Sequence, residues 1–220
     1  MPHDPRLLVS CLGPAGDAAP AVPRFVFDGD AGCGAAAGVV LARAPEARAR
    51  ELLRAGVSSV FLGEAALKDS SALGRLAAEF GPGRVGAYAA AARMEVSWAL
   101  ETVCNADFRF MMPSRCEPCW ELLDGAGART GTDAAWWLGR MSKLGAGSLL
   151  LRADVRDDTD LDVLARIVEQ CGERLWVGPL LDPEPALEDW IERAGARRLV
   201  LPHALLGELA ERSQVQALLK

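Results

Sequence analysis

The sequence predicts an α/β protein and, within that class, a (β/α)8 TIM barrel. Three observations carry the prediction. Apolar runs such as "AGVVLA", "VSSVFLG" and "SLLLRAD" do not alternate with polar residues, as expected of strands covered on both faces. Amphipathic segments of helical length separate them, which is what parallel neighbours need as crossovers. The spacing also repeats: Val60 to Val85 is 25 residues, Leu150 to Val177 is 27, and Val177 to Val200 is 23. Units of that size are βα repeats.

Taken in order, "RLLVSCLG" and "RFVFDGD" read as the first two strands. The linkers after them, "GPAGDAAPAVP" and "AGCGAA", are too short or too broken for covering helices. "AGVVLA" is the third strand, and "APEARARELLRAG" a helix with Pro45 in its first turn and Gly56 as its stop. "VSSVFLG" is the fourth strand, followed by the helix "KDSSALGRLAAEFG", capped by Ser70 or Ser71 and ended by Gly81. "GRVGAYAA" is the fifth. Residues 90–130 form an insertion, with a hairpin built from "MEVSWAL" and "DFRFMM" around "CNA". The helix "TGTDAAWWLGRMSKLGAG", the strand "SLLLRAD", the helix "TDLDVLARIVEQCG", the strand "RLWVGPLLD", the helix "PEPALEDWIERAG" and the strand "ARRLVLPH" follow, with a last helix near 204–219. All 220 residues make one domain. Without helices after strands one and two, the flank of strands 1–3 would be bare, so a homo- or hetero-oligomeric partner is expected there.

Half of the residues are hydrophobic and a quarter charged, an ordinary globular composition. A net charge of −6 argues against a nucleic-acid partner and against an anionic membrane surface. No apolar run is long enough to span a bilayer, and "MPHDPRLLVSCLG" does not read as a signal peptide. Six scattered cysteines suit reduced thiols in the cytoplasm. Cys116 and Cys119 form a C-x-x-C, but only Cys104 lies near and His3 and His203 sit at the chain's ends. No metal or other cofactor is expected, and the pair reads as a short helix with two thiols at its cap.

The stretch "VFLGEAALKD" poses a sharper question: a buried strand stops on Gly63 and small residues follow at once. An apolar run that ends on glycine and opens a helix can bring backbone N–H groups to an anion. In a barrel the functional groups lie at the carboxyl ends of the strands. There the sequence puts Asp28, Asp30, Arg43, Glu64, Tyr88, Arg93, Arg152, Asp154, Asp182 and His203. Asp28 and Asp30 would share one face of an extended strand end and suit acid–base work, or they cap a loop or pair with Arg43. Asp28, Asp30 and Asp154 are thus the catalytic candidates. Arg43 offers a planar fork for a phosphate or carboxylate, or is a surface arginine at a helix start. Gly63, Glu64, Tyr88 and His203 complete the ligand-binding candidates, His203 being structural if it has no partner. Trp136 and Trp137 read as packing residues, and Trp98, Phe108 and Phe110 as one covered face of the hairpin.

This order of elements resembles the histidine-biosynthesis barrels, the ProFAR isomerase and, more closely, the cyclase subunit of imidazole glycerol phosphate synthase. "RAGVSSVFLGEAALKDSSALGRLAAEFG" is similar to their third helix, fourth strand and fourth helix. "RTGTDAAWWLGRMSKLGAGSLLLRADVRDDT" is similar to the fifth helix, the sixth strand and the loop after it. The resemblance implies two aspartates, general acid and general base, at the ends of strands one and five. Those positions fall on Gly13 and Tyr88. It also implies glycine pairs that let backbone approach two phosphates. Here the third strand reads "VVLARAP" and the seventh "WVGPLLDP", and the sixth-strand aspartate falls on Val155. The expectation is a divergent paralogue that binds or converts a small phosphorylated or carboxylated metabolite, as do related barrels in C1-carrier biosynthesis. The alternatives are a non-catalytic barrel subunit of a complex and a genuine isomerase or cyclase.

Overall fold

The computed structural model describes residues 7–13, 22–30, 32–94, 102–105, 108–111 and 117–206. Eight parallel strands close on themselves: β1 (Leu8–Leu12), β2 (Arg24–Phe27), β3 (Gly38–Leu41), β4 (Val60–Leu62), β5 (Val85–Arg93), β10 (Ser148–Arg152), β11 (Leu175–Gly178) and β12 (Arg198–Pro202), which pairs back to β1. The helices α1 (Glu46–Arg54), α2 (Glu64–Lys68), α3 (Ser71–Phe80), α4 (Ala134–Lys143), α5 (Asp158–Cys171) and α6 (Leu187–Glu192) supply the crossovers. The (β/α)8 barrel is therefore present. No helix of the described residues is long and apolar enough to cross a membrane.

Alternate residues of each strand point inward, and they fill the barrel rather than line a pore. Leu12, Phe25, Val40, Phe61, Tyr88, Leu150 and Val200 form that inner cluster, with Phe27, Ala37, Ala42, Ala90 and Trp176 against it. Phe25 packs on Phe61 at 5.1 Å and edge-on to Trp176 at 5.3 Å. Each end of the barrel is topped by an arginine on an aromatic ring. Arg198 lies 5.5 Å over Trp176 at the N-terminal end, and Arg152 lies 5.8 Å over Phe27 at the C-terminal end.

Between β2 and β3 the chain makes only a 3-10 turn, Cys33–Ala35. The linker after β1 lies mostly outside the described residues, as does the final helix beyond residue 206. The flank is nevertheless not bare. The outward residues Cys11, Val26, Val39 and Leu41 are all 1% exposed or less within the single chain, packed with Leu7 and Ala36 in the main core or beside it. The observation from which a partner was expected is thus absent among the described residues.

The insertion differs from its expected form. β5 runs on to Arg93, and β8 (Trp120–Leu123) pairs antiparallel to it, followed by β9 (Arg129–Asp133). The turn of this hairpin, "DGAG", is tied by Asp124, whose Oδ1 accepts from the N–H of Ala126 and of Ala128, both at 2.8 Å. The segment read as one helix from Thr130 therefore begins as a strand, and α4 starts only after Asp133, which caps it by accepting the Trp136 N–H at 2.7 Å. A second hairpin pairs β6 (Thr102–Asn105) with β7 (Phe108–Met111), displaced from the segments expected to form it. Trp98 and Cys116 lie outside the described residues, as do the side chains of Phe108 and Phe110. Cys119 enters β8 in extended chain rather than a helix, its Sγ 3.7 Å from Met94 Sδ. α3 also departs from expectation: neither Ser70 nor Ser71 caps it through its side chain, and Asp69 Oδ1 accepts the Ser71 N–H at 3.0 Å instead.

A buried acid fastens the insertion to the barrel. Asp160, 1% exposed in the first turn of α5, accepts from Arg93 Nε and Trp120 Nε1, both at 2.8 Å, and from the Arg156 N–H at 3.1 Å. Asp157 accepts a further bond from Arg93 and caps α5. Outside the barrel, Glu46, Arg50, Arg54, Asp69, Arg75 and Glu79 form a continuous charge lattice across α1 and α3.

Candidate functional site

The C-terminal mouth is shaped by where two strands stop. β4 pairs with β5 only as far as Ala87, and β8 takes up the same edge from Ala90 onward. Between them, beside Tyr88 and Ala89, that edge has no neighbouring strand, and a cavity of about 310 Å³ opens there. Ala42, Gly63 and Ala90 border it on the barrel side, Leu122, Leu123 and Gly125 on the hairpin side, and Leu180 and Leu181 from the loop after β11. Asp124 is the only charged residue lining it among the described residues.

Gly63 and Tyr88 are the two sequence candidates that line this cavity. Gly63 does not serve an anion. Its N–H donates to Leu41 O and that of Glu64 to Ala42 O, both at 3.0 Å, so the donors at the start of α2 are spent on β3. A side chain at 63 would bring a Cβ to 2.8 Å from Ala42 O and 3.1 Å from the Tyr88 ring. The glycine therefore answers a packing demand: β3, α2 and Tyr88 meet where only a hydrogen fits.

The carboxylate candidates are held elsewhere. β2 ends at Phe27, and Asp28 and Asp30 flank Gly29 (φ 102°) in a turn, not on one face of a strand. Asp28 pairs with Arg48, not Arg43, accepting from Nη2 at 3.0 Å and from Nε at 3.2 Å. Asp30 Oδ2 accepts the Phe27 N–H at 3.2 Å and so closes the loop. Glu64 pairs with Lys68 across one helical turn. Arg43 donates from Nε to Gly125 O and pins the β8–β9 turn over Glu64. His203 is exposed at the start of the helical turn after β12 and does not line the cavity.

Asp154 is the most informative of these. Its Oδ1 accepts three consecutive N–H groups, Leu180 at 2.8 Å, Leu181 at 2.8 Å and Asp182 at 3.0 Å. A run of amides converging on one point is an anion-binding concavity, and here the protein's own carboxylate occupies it. Arg152 completes the same corner, donating from Nε to Pro179 O at 2.8 Å and from Nη2 to Leu180 O at 2.6 Å. The cation and the amides expected to grip a phosphate thus hold the β11 loop to β10.

Tyr88 sits edge-on to Phe27 at 6.0 Å and beside Arg152. Burial pushes its phenol pKa up, against the opposing charge and hydrogen bond of Arg152. Neither Gly13 nor Tyr88 presents a carboxylate, so no pair of acids faces across the mouth from β1 and β5. Among the described residues no cluster of histidine, cysteine or acidic side chains is arranged to hold a metal ion.

A larger groove of about 530 Å³ lies on the flank between β8, α4 and α5. Its arginine, Arg166, is engaged by Glu117 at 3.1 Å and by Pro118 O at 2.7 Å. Sequence reading missed the β8–β9 hairpin that walls the mouth, although "LLDGAGART" carries a turn signal between two runs. It also missed Asp160, whose role depends on Arg93 and Trp120, 67 and 40 residues away. No protein-family model and no curated protein matches the chain.

Proposed function

We propose that this chain is a divergent barrel of the histidine-biosynthesis kind that binds a small molecule at its C-terminal mouth without the two-carboxylate proton transfer of those enzymes. One observation carries the reading. Each acid expected at the mouth is committed to a structural partner: Asp28 to Arg48, Asp30 to the Phe27 amide, Glu64 to Lys68, and Asp154 to three loop amides. A general acid or base must reach the proton it moves, and these groups point into the fold. What remains open to a ligand is the cavity beside Tyr88. The same commitments weaken the expectation of a phosphorylated or carboxylated ligand, because its grips are already filled. They equally fit a non-catalytic subunit, but that reading needs a docking face, which the described flank of β1, β2 and β3 does not offer. A cytoplasmic location accords with the absence of any disulfide among the described residues.

The test is turnover. Purified protein incubated with the histidine-pathway ProFAR intermediate is expected to give no product, and its gene is expected not to rescue histidine auxotrophs lacking the isomerase or the cyclase. Conversion of the intermediate, or rescue of growth, would overturn the reading.

A further inference from the structure

Resting on the reading of the mouth as a binding site, the geometry points to its ligand class: a neutral, mainly apolar molecule carrying one hydrogen-bond acceptor, which receives the phenol proton of Tyr88. The first argument is a matter of donors and acceptors. A guanidinium has five N–H donors and no acceptor, so in any bond between Arg152 and Tyr88 the phenol oxygen accepts. The phenol O–H is then left to donate. Tyr88 lines the cavity and its ring is fixed by Phe27 on one side and Gly63 on the other. A donor held on a packed strand and carrying a cation on its oxygen is a strengthened donor.

The second argument concerns charge. Around the Tyr88 hydroxyl the cavity wall is alanine, glycine and leucine. Arg152 is not part of that wall, and two of its nitrogens are spent on Pro179 O and Leu180 O. The nearest amide cluster holds Asp154. The charged wall residue, Asp124, is negative. An anionic ligand would lose its hydration and meet no open cation, a loss that a neutral carbonyl or ether does not suffer. The cavity, about 310 Å³, stands at the small end of ligand-site volumes and has room for one or two rings.

The probes are acetophenone, its acceptor-free isostere α-methylstyrene, benzoate and inorganic phosphate, each titrated into the full-length chain and followed by amide and indole NMR shifts. Acetophenone is expected to shift Gly63, Ala90, Gly125 and the Trp137 indole, and to bind about fivefold more tightly than α-methylstyrene, the worth of one net hydrogen bond. Tyr88→Phe should keep the apolar binding and erase that preference. Ala90→Leu should block both ligands. Benzoate and phosphate should leave these signals unmoved. Equal affinity for the two neutral isosteres, a preference that survives Tyr88→Phe, tighter binding of either anion, or no binding of acetophenone would each overturn the inference. The isostere comparison in the unaltered protein decides the matter even where a variant fails to fold. Turnover of the histidine-pathway intermediate bears on the preceding reading alone, so the two can fail separately.

Discussion

The two sides of the mouth use the same kinds of residue to opposite ends. Over β10 and β11, Arg152 and Asp154 face a loop whose backbone carbonyls and amides come within 2.6–3.0 Å, and every polar group finds a partner in the chain. Over β4 and β5, small residues face a hairpin that begins one step beyond the end of β4, and a cavity is left. The difference teaches that charged residues at barrel strand ends do not by themselves make a site. Where backbone lies close, a carboxylate or guanidinium becomes loop-fixing material, because an unpaired charge there costs more than an unpaired amide. Open space survives where Ala42, Gly63 and Ala90 leave no side chain to fill it.

The largest effect expected from breaking this contrast falls on the cavity side. Asp160→Ala removes the buried acid that ties the hairpin base to α5 and leaves Trp120 Nε1 and the Arg156 N–H without their acceptor. A loss of about 3 kcal/mol is expected in urea denaturation, in the range for breaking a buried charged pair, together with loss of acetophenone binding as the hairpin wall loosens. Full stability in this variant would show that the hairpin is held by other contacts.

On the opposite side Asp154→Ala strips the acceptor from three loop amides. These are partly exposed and can recruit water, so a smaller loss of about 1–2 kcal/mol is expected. The cavity, walled chiefly by the hairpin, should still bind acetophenone within about twofold, an affinity change under about 0.5 kcal/mol. Loss of binding on this substitution would mean that the two sides are coupled rather than separate.

The smallest effect belongs to the outer lattice of α1 and α3. Hydrogen bonds from Arg75 and Arg50 hold Glu46 below its ordinary pKa of 4.5, and bonds from Ser71 and Arg75 hold Asp69 below 3.8. A depressed folded-state pKa contributes stability that is present above the ordinary value and is lost as pH falls through the folded one. Stability should therefore be flat from neutrality to about pH 4.5 and decline below it. Because these groups are largely solvent-exposed, the decline should shrink in high salt. A salt-independent decline would assign acid sensitivity to the buried acids instead.

The barrel itself was legible in the chain. Strands buried on both faces must be apolar throughout, and crossover helices impose a spacing of some two dozen residues, so "AGVVLA" and "VSSVFLG" declare themselves without any tertiary contact. The prominence of Tyr88 and Gly63 at strand ends was legible for the same reason. The partners of the charged residues were not. Asp28 reaches Arg48 and Asp154 reaches residues 180–182 because closing the barrel brings separate βα units side by side. Burial of the apparently uncovered flank, and the gap between β4 and β8 that makes the cavity, likewise depend on registers of pairing between distant segments. Local pattern determines which residues become strands and helices, because that preference is set within a few residues. Which polar group remains available for a ligand is settled by whatever backbone folds against it, and only the closed barrel decides that.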